Sequence, residues 1–204
     1  MDFKIARIIS YVFHPLLMSM YSFLLLFNMD AYFASILSFK GKLIILSFIF
    51  LSTFVFPSVF TYVLYKRKFI SSMHLEKKED RNIPFIFTII FYYGAFYMLK
   101  NNDGIPAIYL ILMLVSTLMV ILIFFINLKY KISIHSMSIG ALNGLLIGVA
   151  YRFQLDLSLI IIISILIAGF IGYARIAMNA HRPSEVYSGY FIGFLSLVLL
   201  FFFL

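Results

Sequence analysis

Arg175, His181 and Glu185 fall in the segment ARIAMNAHRPSEVY (174–187), where an otherwise apolar chain passes from one stretch of membrane length into the next. A charge at the centre of a bilayer costs roughly 2.5–3.5 kcal/mol on insertion scales, so ionisable groups at the ends of spans normally face a cavity, a partner or water. The residue types suit chemistry on an anion. Arginine presents a planar fork of donors matched to phosphate oxygens. An imidazole attacks phosphorus or protonates a departing oxygen once a partner fixes its tautomer. Glu185 follows His181 by four residues, which on a helix is the same face one turn on, and a carboxylate there orients the ring.

Two other polar stretches supply matching groups. Lys131, Ser133 and His135 precede one apolar run, and Lys77, Lys78 and Arg81 precede another. Phosphoryl transfer requires stabilised equatorial oxygens, an in-line nucleophile and an acid for the leaving group, so it depends mainly on positioning and electrostatics. Two imidazoles among several cations meet that requirement.

The elements that must position these groups follow from composition. Of 204 residues, 64% are hydrophobic and 12% charged, against roughly 45–50% and 25% in soluble domains. The chain therefore reads as an integral membrane protein. Apolar runs of about 20 residues indicate an all-α, polytopic bundle of about six to seven transmembrane helices rather than a barrel of short alternating strands. Residues 1–204 are expected to form a single integral membrane domain, with 1–69 as two N-terminal spans and a core at about 70–204. The expected spans are Ile8 to Phe27, Leu43 to Tyr65, Pro84 to Leu99, Pro106 to Leu128, Ser136 to Phe153, Leu157 to Ala174 and Tyr187 to Leu204. The first, following Lys4 and Arg7 without a cleavage site of small residues, reads as a retained span, and His14-Pro15 is expected to kink it. The third is short, carries Gly94 and is expected to be tilted or only partly inserted.

Counting crossings places 66–83, 129–135 and 175–186 on one side of the membrane, so their polar residues converge. Gly140, Gly144 and Gly148 recur every four residues in the fifth span, and Gly189 and Gly193 open the seventh. Small residues at that spacing let helix backbones approach closely. Packing of these two faces would bring His135 and His181 together.

These residues resemble the type 2 phosphatidic acid phosphatase (PAP2) superfamily, whose motifs are KxxxxxxRP, PSGH and SRxxxxxHxxxD. The third matches as Arg175, His181 and Glu185, with Ala174 in place of serine and glutamate in place of aspartate. The second is similar to Ile132-Ser133-Ile134-His135, which keeps serine and histidine. The first is represented by Arg81 and Pro84, with His74 seven residues before Arg81 and Lys77 and Lys78 as nearby cations. The likeness, to a divergent bacterial-type member, covers about 74–193; the first two spans add only a generic hydrophobic pattern. It implies a metal-independent membrane hydrolase without cofactor, acting on a lipid phosphomonoester or pyrophosphate in a bacterial inner membrane. His181 would be the nucleophile, Glu185 its orienter and His135 the leaving-group acid. Arg175, Arg81 and Ser133 would form the phosphate clamp, and Lys77 or Lys78 would replace the motif lysine. Implied substrates include phosphatidate, phosphatidylglycerol phosphate, isoprenoid pyrophosphates and lipid A types.

Other readings stand beside this one. Lys66, Arg67, Lys68, Lys129 and Arg182 read as interfacial anchors, and His14 and His74 as structural or solvated. His135, His181 and Glu185 could instead furnish a His₂Glu metal set, although neighbouring cations disfavour a metal and acid-rich motifs are missing. A carrier or binding protein for phosphorylated lipids would use the same cations without needing two imidazoles. The net charge of +8 comes from residues scattered at segment ends, which suits headgroups or phosphorylated lipids rather than nucleic acid. Twelve of the sixteen Lys and Arg fall on the face of the candidate site, and positive-inside counting then turns it toward the cytoplasm. The absence of cysteine excludes disulfides and thiol nucleophiles.

Overall fold

The computed structural model describes residues 3–73, 75 and 77–203; His74, one of the readings above, lies outside them. The described residues are helical, without strands, as expected for an all-α membrane bundle. Among the described residues six helical segments are long and apolar enough to cross a membrane, and a seventh crossing is formed if one bent pair counts as a single span. That pair is α1 (Phe3–Val12) and α2 (Pro15–Phe27), bent by 56°. Pro15 has no N–H to donate back into the preceding turn, so the helix stops and restarts, as His14-Pro15 predicted.

Contacts divide the chain into two compact units, one of residues 1–18 and 132–204 and the other of residues 19–131. The boundary runs through the core expected at about 70–204.

The first unit consists of α1, α8 (Ile134–Phe153), α9 (Ser158–Ala177) and α10 (Pro183–Phe203). Its centre is the α8–α10 contact, where glycine on each helix admits the backbone of the other. A Cβ added at Gly193 would lie 2.0 Å from the Met137 carbonyl oxygen, and one at Gly140 would lie 2.2 Å from that of Tyr190. Gly144 and Gly189 meet the carbonyl oxygens of Phe194 and Ser133 in the same way. Contact at this range gains dispersion and Cα–H···O interactions that any side chain would prevent. α9 packs on α8, and α1 packs on α9.

The second unit holds α2 from Ser19 onward, the short α3 (Tyr32–Ser35), α4 (Phe39–Phe50), α5 (Phe56–Lys66), α6 (Asn82–Lys100) and α7 (Ala107–Lys129). α4 and α5 form one 28-residue span joined by a π-helical turn over Leu51–Val55. Pro57 lacks the donor that Thr53 would otherwise receive, and the wider turn absorbs that loss. The third span is longer than expected. α6 has 19 residues, and a 3₁₀ turn over Glu79–Arg81 extends the segment to 22. Pro84 sits in the first turn of α6, where a missing N–H breaks no helical bond, so it does not mark the start of the span. Gly94 has open space beside it and leaves the helix continuous.

Candidate functional site

The close approach of α8 and α10 sets the site. At the N-terminal ends of these helices the backbone N–H of Ser133 donates to the carbonyl of Glu185 at 3.1 Å. The stretch carrying Ser133 and His135 is thereby fastened to the turn carrying Glu185. The Ser133 hydroxyl, fully buried, caps α8 by accepting from the N–H of Ser136, and it accepts also from the Ser136 hydroxyl at 2.9 Å. Ser133 keeps its own O–H as a donor.

α9 ends in a left-handed residue, Asn179 at φ 53°, a conformation that asparagine adopts more readily than most residues. The reversal sends the N–H groups of Ala180 and His181 back onto the carbonyl of Arg175, at 3.1 and 3.3 Å. This C-terminal motif is the local reason that His181 returns to the turn from which Arg175 projects. Pro183 then opens α10, where its fixed φ suits the first helical position. Glu185 falls in the first turn of α10, where a carboxylate faces the positive end of the helix dipole.

Within this frame His181 Nδ1 lies 2.6 Å from Glu185 Oε2. Both side chains are largely withdrawn from solvent, at 3% and 13% exposure. With Glu185 ionised, this short bond places the ring proton on Nδ1 and leaves the lone pair on Nε2. The i,i+4 spacing does what was expected of it, although His181 itself stands in the connection before α10 rather than on the helix.

His135, in the first turn of α8, is held by a group outside the expected set. Its Nε2 lies 3.2 Å from the carbonyl oxygen of Ser10. The last carbonyls of a helix lack intrahelical donors, and the Pro15 break ends α1 within three residues of Ser10, so His135 satisfies one of them. Donation to a carbonyl puts the proton of the neutral ring on Nε2 and the lone pair on Nδ1. The hydroxyl of Ser10 accepts from Arg175 Nη1 at 3.3 Å and donates to the Ala6 carbonyl at 3.0 Å. His14 stands edge-to-face with His135, ring centroids 5.8 Å apart. Arg175, His14 and His181 are all within electrostatic range of His135.

The first unit therefore brings together five of the expected site residues, Ser133, His135, Arg175, His181 and Glu185, and adds Ser10 and His14. α1, which lies outside the stretch that carries the motif resemblance, thus contributes to the surroundings of His135. The signal was present in the sequence as two polar residues four apart, Ser10 and His14, ahead of a helix-breaking proline.

The remaining expected residues belong to the second unit. Arg81 is buried and its Nε donates to the Leu75 carbonyl at 2.8 Å. Lys78 Nζ donates to the carbonyl of Leu128 in the last turn of α7 at 2.9 Å, as a cation at a helix C-terminus does. Asn127, also buried, donates to the Lys78 carbonyl at 3.0 Å. Lys77 is exposed and its charge acts on Asp80. Among the described residues no group of three or more His, Cys, Asp or Glu is arranged to hold a metal ion.

No family model, no curated protein and no solved structure matches the chain.

Proposed function

We propose that the protein is a membrane-embedded phosphatase of amphiphilic lipid phosphates, hydrolysing a phosphomonoester or pyrophosphate through a phospho-histidine intermediate. The observation that carries this reading is the 2.6 Å His181–Glu185 bond with Arg175 and a second imidazole, His135, in electrostatic range. A binding site for a lipid phosphate needs cations; it does not need a carboxylate-oriented imidazole opposite another. The resemblance to the PAP2 superfamily belongs to the same proposal.

The chemistry follows from the proton positions. His181 Nε2 attacks phosphorus in line, forming the N–P bond as the P–O bond to the lipid breaks. Positive charge that develops on the ring is balanced by Glu185 at Nδ1. His135, which takes up a second proton on Nδ1 when the substrate phosphate binds beside it, delivers that proton to the departing oxygen and becomes neutral. A water then attacks the phosphohistidine, His135 Nδ1 takes its proton, and inorganic phosphate leaves with both histidines restored. The Arg175 guanidinium and the N-terminal ends of α8 and α10 supply positive potential for the equatorial oxygens. In this proposal Ser133 joins Arg175 in the phosphate clamp on the strength of the motif resemblance.

The test is release of inorganic phosphate by purified protein, with EDTA present, from phosphatidate, phosphatidylglycerol phosphate and undecaprenyl pyrophosphate. Release from at least one is expected, and silence across all three would sink the phosphatase reading. Release abolished by EDTA would transfer the chemistry to the His₂Glu metal alternative. The 56° break between α1 and α2 favours a second reading, a carrier of phosphorylated lipid, because interrupted spans form binding sites in transporters. A carrier would exchange labelled lipid phosphate across proteoliposomes without consuming it.

His135 has its own signature. Acid assistance contributes roughly 10²- to 10⁴-fold and matters most for poor leaving groups. His135→Ala is expected to slow alkyl-phosphate hydrolysis within that range while p-nitrophenyl phosphate loses less than about tenfold. Equal losses on the two substrates would remove His135 from the acid role.

A further inference from the structure

The break between α1 and α2 carries an imidazole that the phosphoryl-transfer steps above leave unused. His14 sits at the break with its ring edge-to-face against His135, planes at 79° and centroids 5.8 Å apart. Its Nδ1 accepts from the backbone N–H of Leu16 at 3.3 Å, and Pro15 beside it restricts the backbone. An acceptor at Nδ1 places the proton of neutral His14 on Nε2. His135 is held the opposite way, with Nε2 donating to the Ser10 carbonyl and a lone pair on Nδ1. The remaining nitrogen is a donor on neutral His14 and an acceptor on neutral His135. Among the described residues, groups near the pair include Arg175 from α9, His181 from the connection after it, with Glu185 bonded to His181, and the Ser10 carbonyl and hydroxyl from α1. Two imidazolium charges at this separation beside a guanidinium repel, so the two rings carry at most one extra proton between them and their titrations are coupled.

We propose that His14 and His135 form a single proton-holding pair, in which His14 is the positioning residue that decides where the proton of His135 resides and at what pH it is held. The inference rests on the reading of His135 as the leaving-group acid. When the departing oxygen takes the proton from His135 Nδ1, the ring that regains a lone pair there lies edge-to-face against His14. The pair then stays neutral until the attacking water returns the proton. His14 makes and breaks no bond to phosphorus.

The chain has four histidines, so ¹⁵N-imidazole spectra of the full-length protein in detergent resolve each ring. His14→Asn retains an acceptor for the Leu16 N–H and removes the second imidazole. It is expected to shift the His135 Nδ1 resonance at neutral pH and to move the His135 titration midpoint by about half a pH unit or more. By linkage, His135→Gln is expected to move the His14 midpoint by an equal amount, a reciprocity that a merely structural disturbance would not reproduce. The acid-side limb of the pH–rate profile on an alkyl phosphate is expected to move with His135 in His14→Asn. A His135 resonance and midpoint unchanged in His14→Asn would overturn the pair even if the wild type releases phosphate. Reciprocal shifts in a protein that releases none would uphold the pair and defeat the phosphatase reading instead. If His14→Asn does not fold, His135→Gln reads the coupling from the other side, and an unmoved His14 there overturns it.

Discussion

His181→Ala is expected to abolish the proposed phosphate release while the helical bundle stays folded. Removing the nucleophile of a covalent mechanism leaves only binding and electrostatic stabilisation, and losses of roughly 10⁴-fold or more are usual for such groups. The fold survives because the α8–α10 contact is made by glycines and backbone further along both helices. What His181→Ala leaves behind is a Glu185 carboxylate without its ring partner, at 13% exposure and in the first turn of α10, where the helix dipole still favours it. Circular dichroism and a detergent melting curve would check the fold, and phosphate release the activity. Glu185→Gln separates orientation from charge. The amide oxygen still accepts from Nδ1, so the tautomer is kept, but the imidazolium that forms during attack loses its counter-charge. A residual rate roughly 10²- to 10⁴-fold below wild type is expected. Wild-type turnover by a well-folded His181→Ala protein would refute the nucleophile assignment.

The largest expected effect on stability is at Gly193. A methyl there would sit 2.0 Å from the Met137 carbonyl oxygen and 2.9 Å from the Ala141 nitrogen. Neither is the tip of a flexible side chain, so the helices must separate. Overpacking in cores costs about 1–3 kcal/mol and sometimes more, and a clash between backbones belongs at or beyond the upper end. Gly193→Ala is expected to lower the midpoint of thermal or SDS-induced unfolding markedly, and Gly193→Leu to prevent assembly of the bundle. Gly169 provides the control, because a Cβ there meets nothing within 4 Å in the same unit. Gly169→Ala is expected to be neutral or to stabilise by up to about 1 kcal/mol through helix propensity. Equal melting of Gly193→Ala and Gly169→Ala would show that α8 and α10 do not meet on their glycine faces.

The glycine spacing was legible because a period of four residues in an apolar helix has few uses other than close packing. It carried the further expectation that the starts of the fifth and seventh spans adjoin, and the Ser133–Glu185 backbone bond is where they do. The His181–Glu185 pair was legible from spacing alone. For Ser10 the sequence showed a polar residue four before His14, but its bond to His135 is made by a main-chain carbonyl left over at a helix end, and a carbonyl has no letter in the sequence. His14 was read only as the residue before a proline, because nothing local to position 14 indicates that position 135 lies against it. The start of the third span was misplaced by taking Pro84 as a boundary when it occupies the first turn. For Lys78 and Arg81 the sequence offered charge, and the fold gives each a backbone carbonyl partner. A carbonyl attracts a cation without showing in any charge pattern.

Glu185 is gripped at two points by different parts of the protein. Its carboxylate holds the ring of His181, and its carbonyl holds the N–H of Ser133, two residues before His135. One residue thus acts as the axle on which both imidazoles are mounted. A rigid movement of α8 and α10 together carries the proposed nucleophile and acid as one and spares their spacing, whereas a slide of one helix along the other, or a tilt that opens this end of the pair, uncouples them at once. If the proposed activity holds, heating, detergent or lipid thickness that prises this end open is therefore expected to extinguish turnover before any helix melts.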